Sequence, residues 1–328
     1  MTTRDFIYRA EELKDSLTEL RENGVTKGAW TGFSSLFDKY SMKLGSTTYI
    51  YAGAHQGKSQ FAFEMMINLS QYSGWKWAVY SPETGSPTEV FAEFLWVYLR
   101  KPFLVNEKVM ASDEESQRAM EFINEHFYII DSGLQDLTVE GFYNCVTNIE
   151  DDYGIKIQGC LIDPFTEIKT DISVGVRDDI AIGQVLTKVR KHSADNNYHT
   201  ILTVHTKHQQ PKYRSGIAYI DKPTMNDIAG GMQWSRKGMM VINIWRCPFG
   251  LEDLDGVPYE PNQVEITVVK AKPKIVGRLG KVTMYYDKVK NRYYETDKQG
   301  KPVYAYQNPE YEPEDVVLPT PSQEELEF

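Results

Sequence analysis

The sequence of 328 residues holds only three cysteines, Cys145, Cys160 and Cys247. They stand too far apart to read as a disulfide framework or a zinc-binding spacing. No run of about eighteen apolar residues exists, so no segment is fit to span a membrane as a helix. The opening "MTTRDFIYRAEELK" lacks the apolar centre of a signal peptide. A cytoplasmic protein is the expectation. No internal repeat is visible, and hydrophobic content of 41% with charged content of 25% is ordinary for a globular chain.

Basic charge is also in short supply. With 36 Lys and Arg against 46 Asp and Glu, the net charge is −10, which taken alone argues against a nucleic-acid partner. Its distribution weakens that argument. Residues 310–328 carry seven acids and no Lys or Arg, and without them the charge is −3. Residues 270–292 carry eight Lys or Arg against one Asp, and residues 200–219 carry Lys207, Lys212 and Arg214 with no acid. A basic face with a detachable acidic tail fits these numbers better than a uniformly acidic surface.

What is present begins with "YAGAHQGKSQ", residues 51–60. Gly53, Ala54, His55, Gln56, Gly57, Lys58, Ser59 and Gln60 follow Ala52, which stands where the phosphate-binding loop pattern commonly has glycine. Such a loop needs backbone N–H groups curled around an anion, a Lys reaching the outer phosphates and a hydroxyl for Mg²⁺. A helix starting near Gly57 would add its N-terminal dipole. The β-branched and aromatic run Thr47–Tyr51 reads as a strand before the loop. After it, Phe61, Met65, Met66 and Leu69 recur at helical spacing. A strand-to-helix turn without a ligand is the plainer alternative.

Strands and helices then alternate. "WKWAVYSPE" reads as a strand ending at Glu83, followed by a helix over residues 88–99. "HFYIID" is a strand before a helix over 139–153, and "IQGCLIDP" one before a helix over 179–196. "HTILTVH" is the next strand. Short, continuous apolar runs suit parallel strands covered on both faces. "GMMVINIWR", "NQVEITVVKAK" and "GKVTMYYDKVKNRYYE" have no helices between them, as for antiparallel additions at one edge. Residues 3–22 form an amphipathic stretch with Phe6, Ala10, Leu13, Leu17 and Leu20 on one stripe. That stripe packs either on its own domain or on a neighbouring subunit.

Asp163, Glu83 and His205 each close a predicted parallel strand, the edge where open α/β sheets bind ligands. Any one alone is an ordinary strand-end residue. Together with Lys58 and Ser59 they provide a Mg²⁺-organising carboxylate, a base for water and a group placed to sense a terminal phosphate.

With these residues in view, "YIYAGAHQGKSQFAFEMM", "AVYSPET", "CLIDPFTEI", "ILTVHTKH" and "DIAGGMQWSRKGMMVINIWR" resemble, in order, the motifs of DnaB-type, superfamily 4 ring helicases. The nearest flavour is that of phage primase-helicases and their mitochondrial relative, over about residues 28–294. The resemblance implies a RecA-like P-loop NTPase core of α/β class, with a mostly parallel central sheet and antiparallel edge strands. It implies ATP and Mg²⁺ as cofactors, with Lys58 and Ser59 as the loop lysine and Mg²⁺ hydroxyl and Asp163 as the second Mg²⁺ residue. Glu83 would activate the attacking water and His205 couple the γ-phosphate to DNA contacts. Arg246 and Tyr286 match the pair that sandwiches the base, and an Arg–aromatic pair is suited to stacking. "KHQQPKYRSGIAY" matches the loop that holds single-stranded DNA in the ring channel, through Lys207, Lys212 and Arg214; a solvated surface loop is the alternative.

One absence departs from the family. Ring helicases place a Lys, then two residues on an Arg finger that reaches the neighbouring subunit's nucleotide. In "VVKAKPKIVG", Lys270 fits the first position and Lys272 stands where the Arg belongs. Lys is a point charge without the planar fork. Lys272 or Lys274 serves in weaker form, Arg278 serves after a shift in alignment, or turnover is slow.

The expected organisation is a linker helix over residues 1–24, an ATPase domain over 25–300 and an acidic, Pro-rich, disordered tail over 301–328. The tail ends in Phe328 and either recruits a polymerase or primase or only solubilises. The leading reading is a replicative DNA helicase working as a hexameric ring on single-stranded DNA, phage-encoded in a bacterial host. The alternatives are a RecA-like recombination or annealing ATPase that uses ATP as an assembly switch, and a helicase remnant with a structural or loading role.

Overall fold

Every second residue of the central strands is apolar towards each face, and this alternation builds a sheet with a core on both sides. In a computed structural model the chain is described over residues 8–24, 27–102, 111–133, 135–170, 177–210, 212–214, 217–253 and 256–305. Its strands, in chain order, are β1 (Ala29–Trp30), β2 (Ser41–Met42), β3 (Ser46–Ala52), β4 (Trp77–Tyr80), β5 (Phe127–Ile129), β6 (Leu137–Thr138), β7 (Gly159–Ile162) and β8 (Ile168–Lys169). There follow β9 (His199–His205), β10 (Lys212–Arg214), β11 (Ile217–Tyr219), β12 (Met240–Arg246), β13 (Gln263–Ala271), β14 (Gly280–Asp287), β15 (Arg292–Thr296) and β16 (Pro302–Tyr304). The helices are α1 (Lys14–Asn23), α2 (Lys58–Ser73), α3 (Pro87–Leu99), α4 (Asp113–His126), α5 (Val139–Tyr153), α6 (Asp178–Asp195) and α7 (Gly231–Lys237).

Ten strands form one sheet in the order β16-β15-β14-β13-β12-β3-β9-β7-β4-β5. From β12 to β5 all neighbours are parallel; from β12 to β16 all are antiparallel. Ile50 and Ala52 of β3, Trp77 and Val79 of β4 and Leu161 of β7 face a core shared with α2, α3 and α4. Tyr49, Tyr51, Ala78, Tyr80, Cys160 and Ile162 face the other core, with α5, α6 and Trp234 of α7. The α/β class, parallel centre and antiparallel edge expected from the sequence are all present.

Several details differ from the sequence reading. Helix α2 is buried from Phe61 to Ser70 without a break, not along one stripe. Residues 28–43 cover its outer side, where the Asn68 amide donates to the Thr31 carbonyl at 2.8 Å. Strand β4 stops at Tyr80, because Pro82 has no N–H for the ladder; Glu83 stands in the turn beyond it. Of the amphipathic stretch over 3–22, the part before residue 8 lies outside the described residues and regular helix begins only at Lys14. No residue of α1 is buried, and Leu13, Leu17 and Leu20 stay exposed. Strand β16 extends the sheet to Tyr304, inside the stretch assigned to the tail; residues 306–328, with Phe328, lie outside the described residues. No described helix is long and apolar enough to cross a membrane.

Candidate active site

Strand β3 ends at Ala52, fully buried, and the chain turns through residues 53–57 into α2. Two positions need left-handed backbone: His55 at φ 57° and Gly57 at φ 90°. A side chain at Gly57 would run into the Tyr293 hydroxyl, which donates to the Gly57 carbonyl at 2.9 Å. Gly57 is therefore demanded twice, by its φ and by this contact. Gln56 turns away from the loop mouth, and its Oε1 accepts from the backbone N–H of Arg246 at 2.6 Å.

Lys58 is buried, and its Nζ donates to the Gly53 carbonyl at 3.2 Å. Burial holds its pKa below the usual lysine value, with the charges of Asp163 and Glu83 acting against the shift. The same Nζ lies 3.1 Å from His205 Nδ1. An ammonium only donates, so Nδ1 accepts and the imidazole proton sits on Nε2. Nε2 in turn lies 3.0 Å from Glu83 Oε2. Lys58, His205 and Glu83 thus form one hydrogen-bonded chain across three strand ends.

Asp163 follows β7 and is buried. Its two oxygens accept from Ser81 Oγ, at 2.9 Å, and from the Thr203 hydroxyl. The half-buried Ser59 hydroxyl makes no hydrogen bond among the described residues. Hydroxyl and carboxylate oxygens are the hard donors that suit Mg²⁺, which keeps several waters and asks few protein ligands. No group of three or more His, Cys, Asp or Glu among the described residues could cage a metal on its own. The donor set fits a cation shared with a substrate.

Arg246 closes β12 and Tyr286 lies in β14, on the same edge as the loop. The Arg246 guanidinium stands 5.1 Å from the Tyr286 ring centroid. A base between them needs two van der Waals layers of about 3.5 Å, about 7 Å in all. The pair is therefore stacked on itself, and a base enters only when Arg246 swings out or stacks on an outer face.

The segment after His205 is tied back by the Lys207 N–H to the Asp227 carbonyl at 2.9 Å, then forms the hairpin of β10 and β11. Lys207 and Lys212 are exposed there; Lys212 is paired with Asp221, and Arg214 lies in β10. The sequence reading overlooked Tyr213, 74% exposed on this hairpin and able to stack on a base. It overlooked Tyr293 as well. One aromatic in the run "NRYYE" signals nothing by itself; only the strand pairing brings Tyr293 to the loop. Lys270 and Lys272 lie elsewhere, at the amino edge of the sheet: Lys270 pairs with Val241, and the Lys272 N–H donates to the Met239 carbonyl at 3.0 Å. The Lys270 ammonium also donates to the Ser235 carbonyl. Lys274 is exposed, and Arg278 is held by Asp38.

No family model matches this sequence. Among curated proteins, "Twinkle homolog protein, chloroplastic/mitochondrial" of Arabidopsis thaliana is 26% identical over 278 residues, 83% of this chain and 37% of the relative. The chain thus spans little more than a third of that relative's length. Among solved structures, the isolated ATPase domain of a DnaB-like replicative helicase superposes with a TM-score of 0.68 at 16% identity, covering 88% of this chain and 98% of that one. A second DnaB-like replicative helicase, described with its interactions with primase, gives 0.65 at 18% identity, covering 88% and 66%. The chain has the RecA-like ATPase fold of DnaB-like replicative helicases, as its motifs implied.

Proposed function

We propose that this chain is an ATP-driven replicative helicase motor that works on single-stranded DNA as a ring, with nucleotide held between subunits. The observation that carries the reading is the hydrogen-bonded chain from Lys58 through His205 to Glu83, beside the loop of residues 53–59. The backbone N–H groups of that loop and the α2 N-terminus receive the triphosphate. Ser59 and Asp163 hold Mg²⁺, which neutralises charge on the outer phosphates. Lys58 leaves His205 for the γ-phosphate, and Glu83 takes a proton from the attacking water. Released from Lys58, His205 passes the change to the segment it leads into, where Lys207, Lys212, Arg214 and Tyr213 meet DNA. Arg246 and Tyr286 bind the base.

Two features support a ring. The apolar residues of α1 have no cover in their own chain, which fits docking on a neighbour. Lys270 and Lys272 stand at the far edge of the sheet from their own loop, which fits action on a neighbour's nucleotide. A phage-encoded protein of the bacterial cytoplasm that recruits a polymerase or primase through its acidic tail completes the reading.

The test is ATP turnover with and without single-stranded DNA, alongside Lys58→Ala. DNA-stimulated turnover that falls about 10²–10³-fold in the variant is expected, the loss of one charged donor to the transition state. Turnover indifferent to DNA would overturn the motor and favour a strand-binding ATPase that uses ATP as an assembly switch.

A further inference from the structure

The amino edge of the sheet carries a groove of about 400 Å³, lined by Gly45, Ser46, Thr47, Arg190, Lys191 and Met239, with Thr187, Ala194 and Asp195 at its α6 side. Met239 accepts the backbone hydrogen bond of Lys272. Lys270 lies one register step away, beside Val241. Cations from three segments, α6, the end of β13 and the residue after it, thus converge on one rim. They feel each other: besides burial, the charges of Lys272 and then Arg190 hold Lys270 below its usual value.

Arg190 is exposed on an 18-residue helix and makes no ion pair or hydrogen bond among the described residues. Other surface cations are engaged, Arg278 with Asp38 and Lys212 with Asp221. The acid that lines the groove, Asp195, forms no ion pair with Arg190 or Lys191. Like charges gathered without a counter-charge repel, and the fold keeps them together only at a cost. An incoming anion would relieve it.

Its source cannot be the chain's own nucleotide. Strand β3 separates the groove from the phosphate loop by seven residues, about 20 Å at ~3.3 Å per residue. We propose that Arg190, with Lys270 and Lys272, forms a receptor for the terminal phosphate of a nucleotide held by a neighbouring copy of this chain. Arg190 then supplies from α6 the planar guanidinium that "VVKAKPKIVG" lacks. The inference rests on the ring reading above.

The experiment is complementation between two variants of the full chain. Arg190→Ala keeps its phosphate loop and loses the receptor; Lys58→Ala keeps the receptor and loses the loop. Arg190→Ala alone should lose turnover by at least about tenfold, less than a sole arginine finger because two lysines remain, with little change in KM for ATP. An equimolar mixture with Lys58→Ala should turn over faster than the two measured apart. Arg190→Lys, which keeps charge without the fork, should fall between. Full turnover in Arg190→Ala, or a loss that mixing does not restore, overturns the proposal. Weakened single-stranded DNA binding with turnover intact also overturns it, and assigns the phosphate to the DNA backbone. A wild type without ATP turnover would sink the motor reading itself; an active wild type matched by Arg190→Ala sinks only this inference.

Discussion

The two edges of the sheet handle charge in opposite ways. At the carboxyl edge the loop lysine is tied into the chain: Lys58 has Gly53 and His205 as partners, His205 has Glu83, and Asp163 has Ser81 and Thr203. At the amino edge Arg190 and Lys272 point outward with no carboxylate bound to either. One edge is complete within a single chain, and the other has the character of half a site. That contrast teaches that a missing residue in a motif is better sought by edge than by sequence position, since α6 brings Arg190 to the place where β13 lacks an arginine.

Breaking the complete edge should have the larger effect. Glu83→Gln keeps the size of the side chain and removes the base, so turnover should fall by about 10²–10⁴-fold while ATP still binds. Fluorescent-nucleotide titration beside a turnover assay separates the two; a variant that hydrolyses normally would free Glu83 of its role. A gentler break lies beneath the other edge. His199 opens β9, fully buried, with Nδ1 donating to the Lys43 carbonyl at 2.8 Å and Nε2 accepting from Thr48 at 2.9 Å. Burial lowers its pKa from 6.5 to about 4. Since the folded value is the lower one, stability is full above about pH 6.5 and is lost as pH falls towards 4, by up to about 3 kcal/mol. Urea midpoints at pH 7.5 and 5 should show the fall in the wild type and a flatter profile in His199→Gln. Equal slopes would mean that another group carries the acid response.

Most of the carboxyl edge was legible because its signals are local. A β-branched run, a small-residue turn and Gly-Lys-Ser place the loop without knowledge of any distant contact. Helix α4 was legible too, through the capping box in which Ser112 and Glu115 bond each other's backbone, although the reading passed over it. What could not be read was long-range. The cover over α2 comes from residues 28–43, and the meeting of Arg190 with Lys270 depends on how α6 returns along the sheet. Glu83 was placed on a strand because the apolar pattern runs through Tyr80, yet Pro82 ends the ladder before Glu83 is reached.

The smallest expected effect tests how the complete edge is completed. Tyr293 lies in β15, among the antiparallel strands that carry no loop residue, and donates to the Gly57 carbonyl. Its own N–H donates to Glu64 Oε2 of α2 at 2.7 Å, and Glu64 is paired with the fully buried Arg292 at 2.6 Å. Its ring meets Phe61 of α2 edge-on at 5.5 Å and Tyr286 at 5.1 Å. The antiparallel edge therefore grips both the start of the loop helix and the ring on which Arg246 stacks. Tyr293→Phe keeps the ring and deletes one hydrogen bond worth about 1 kcal/mol. If the hydroxyl positions the loop, KM for ATP should rise by roughly fivefold, the same energy expressed in binding, with kcat less affected. If it only braces the fold, the loss should appear in the thermal midpoint and leave KM where it was. The first outcome would mean that the carboxyl edge owes its order to strands outside the parallel core, and the second would return that role to the loop's own sequence.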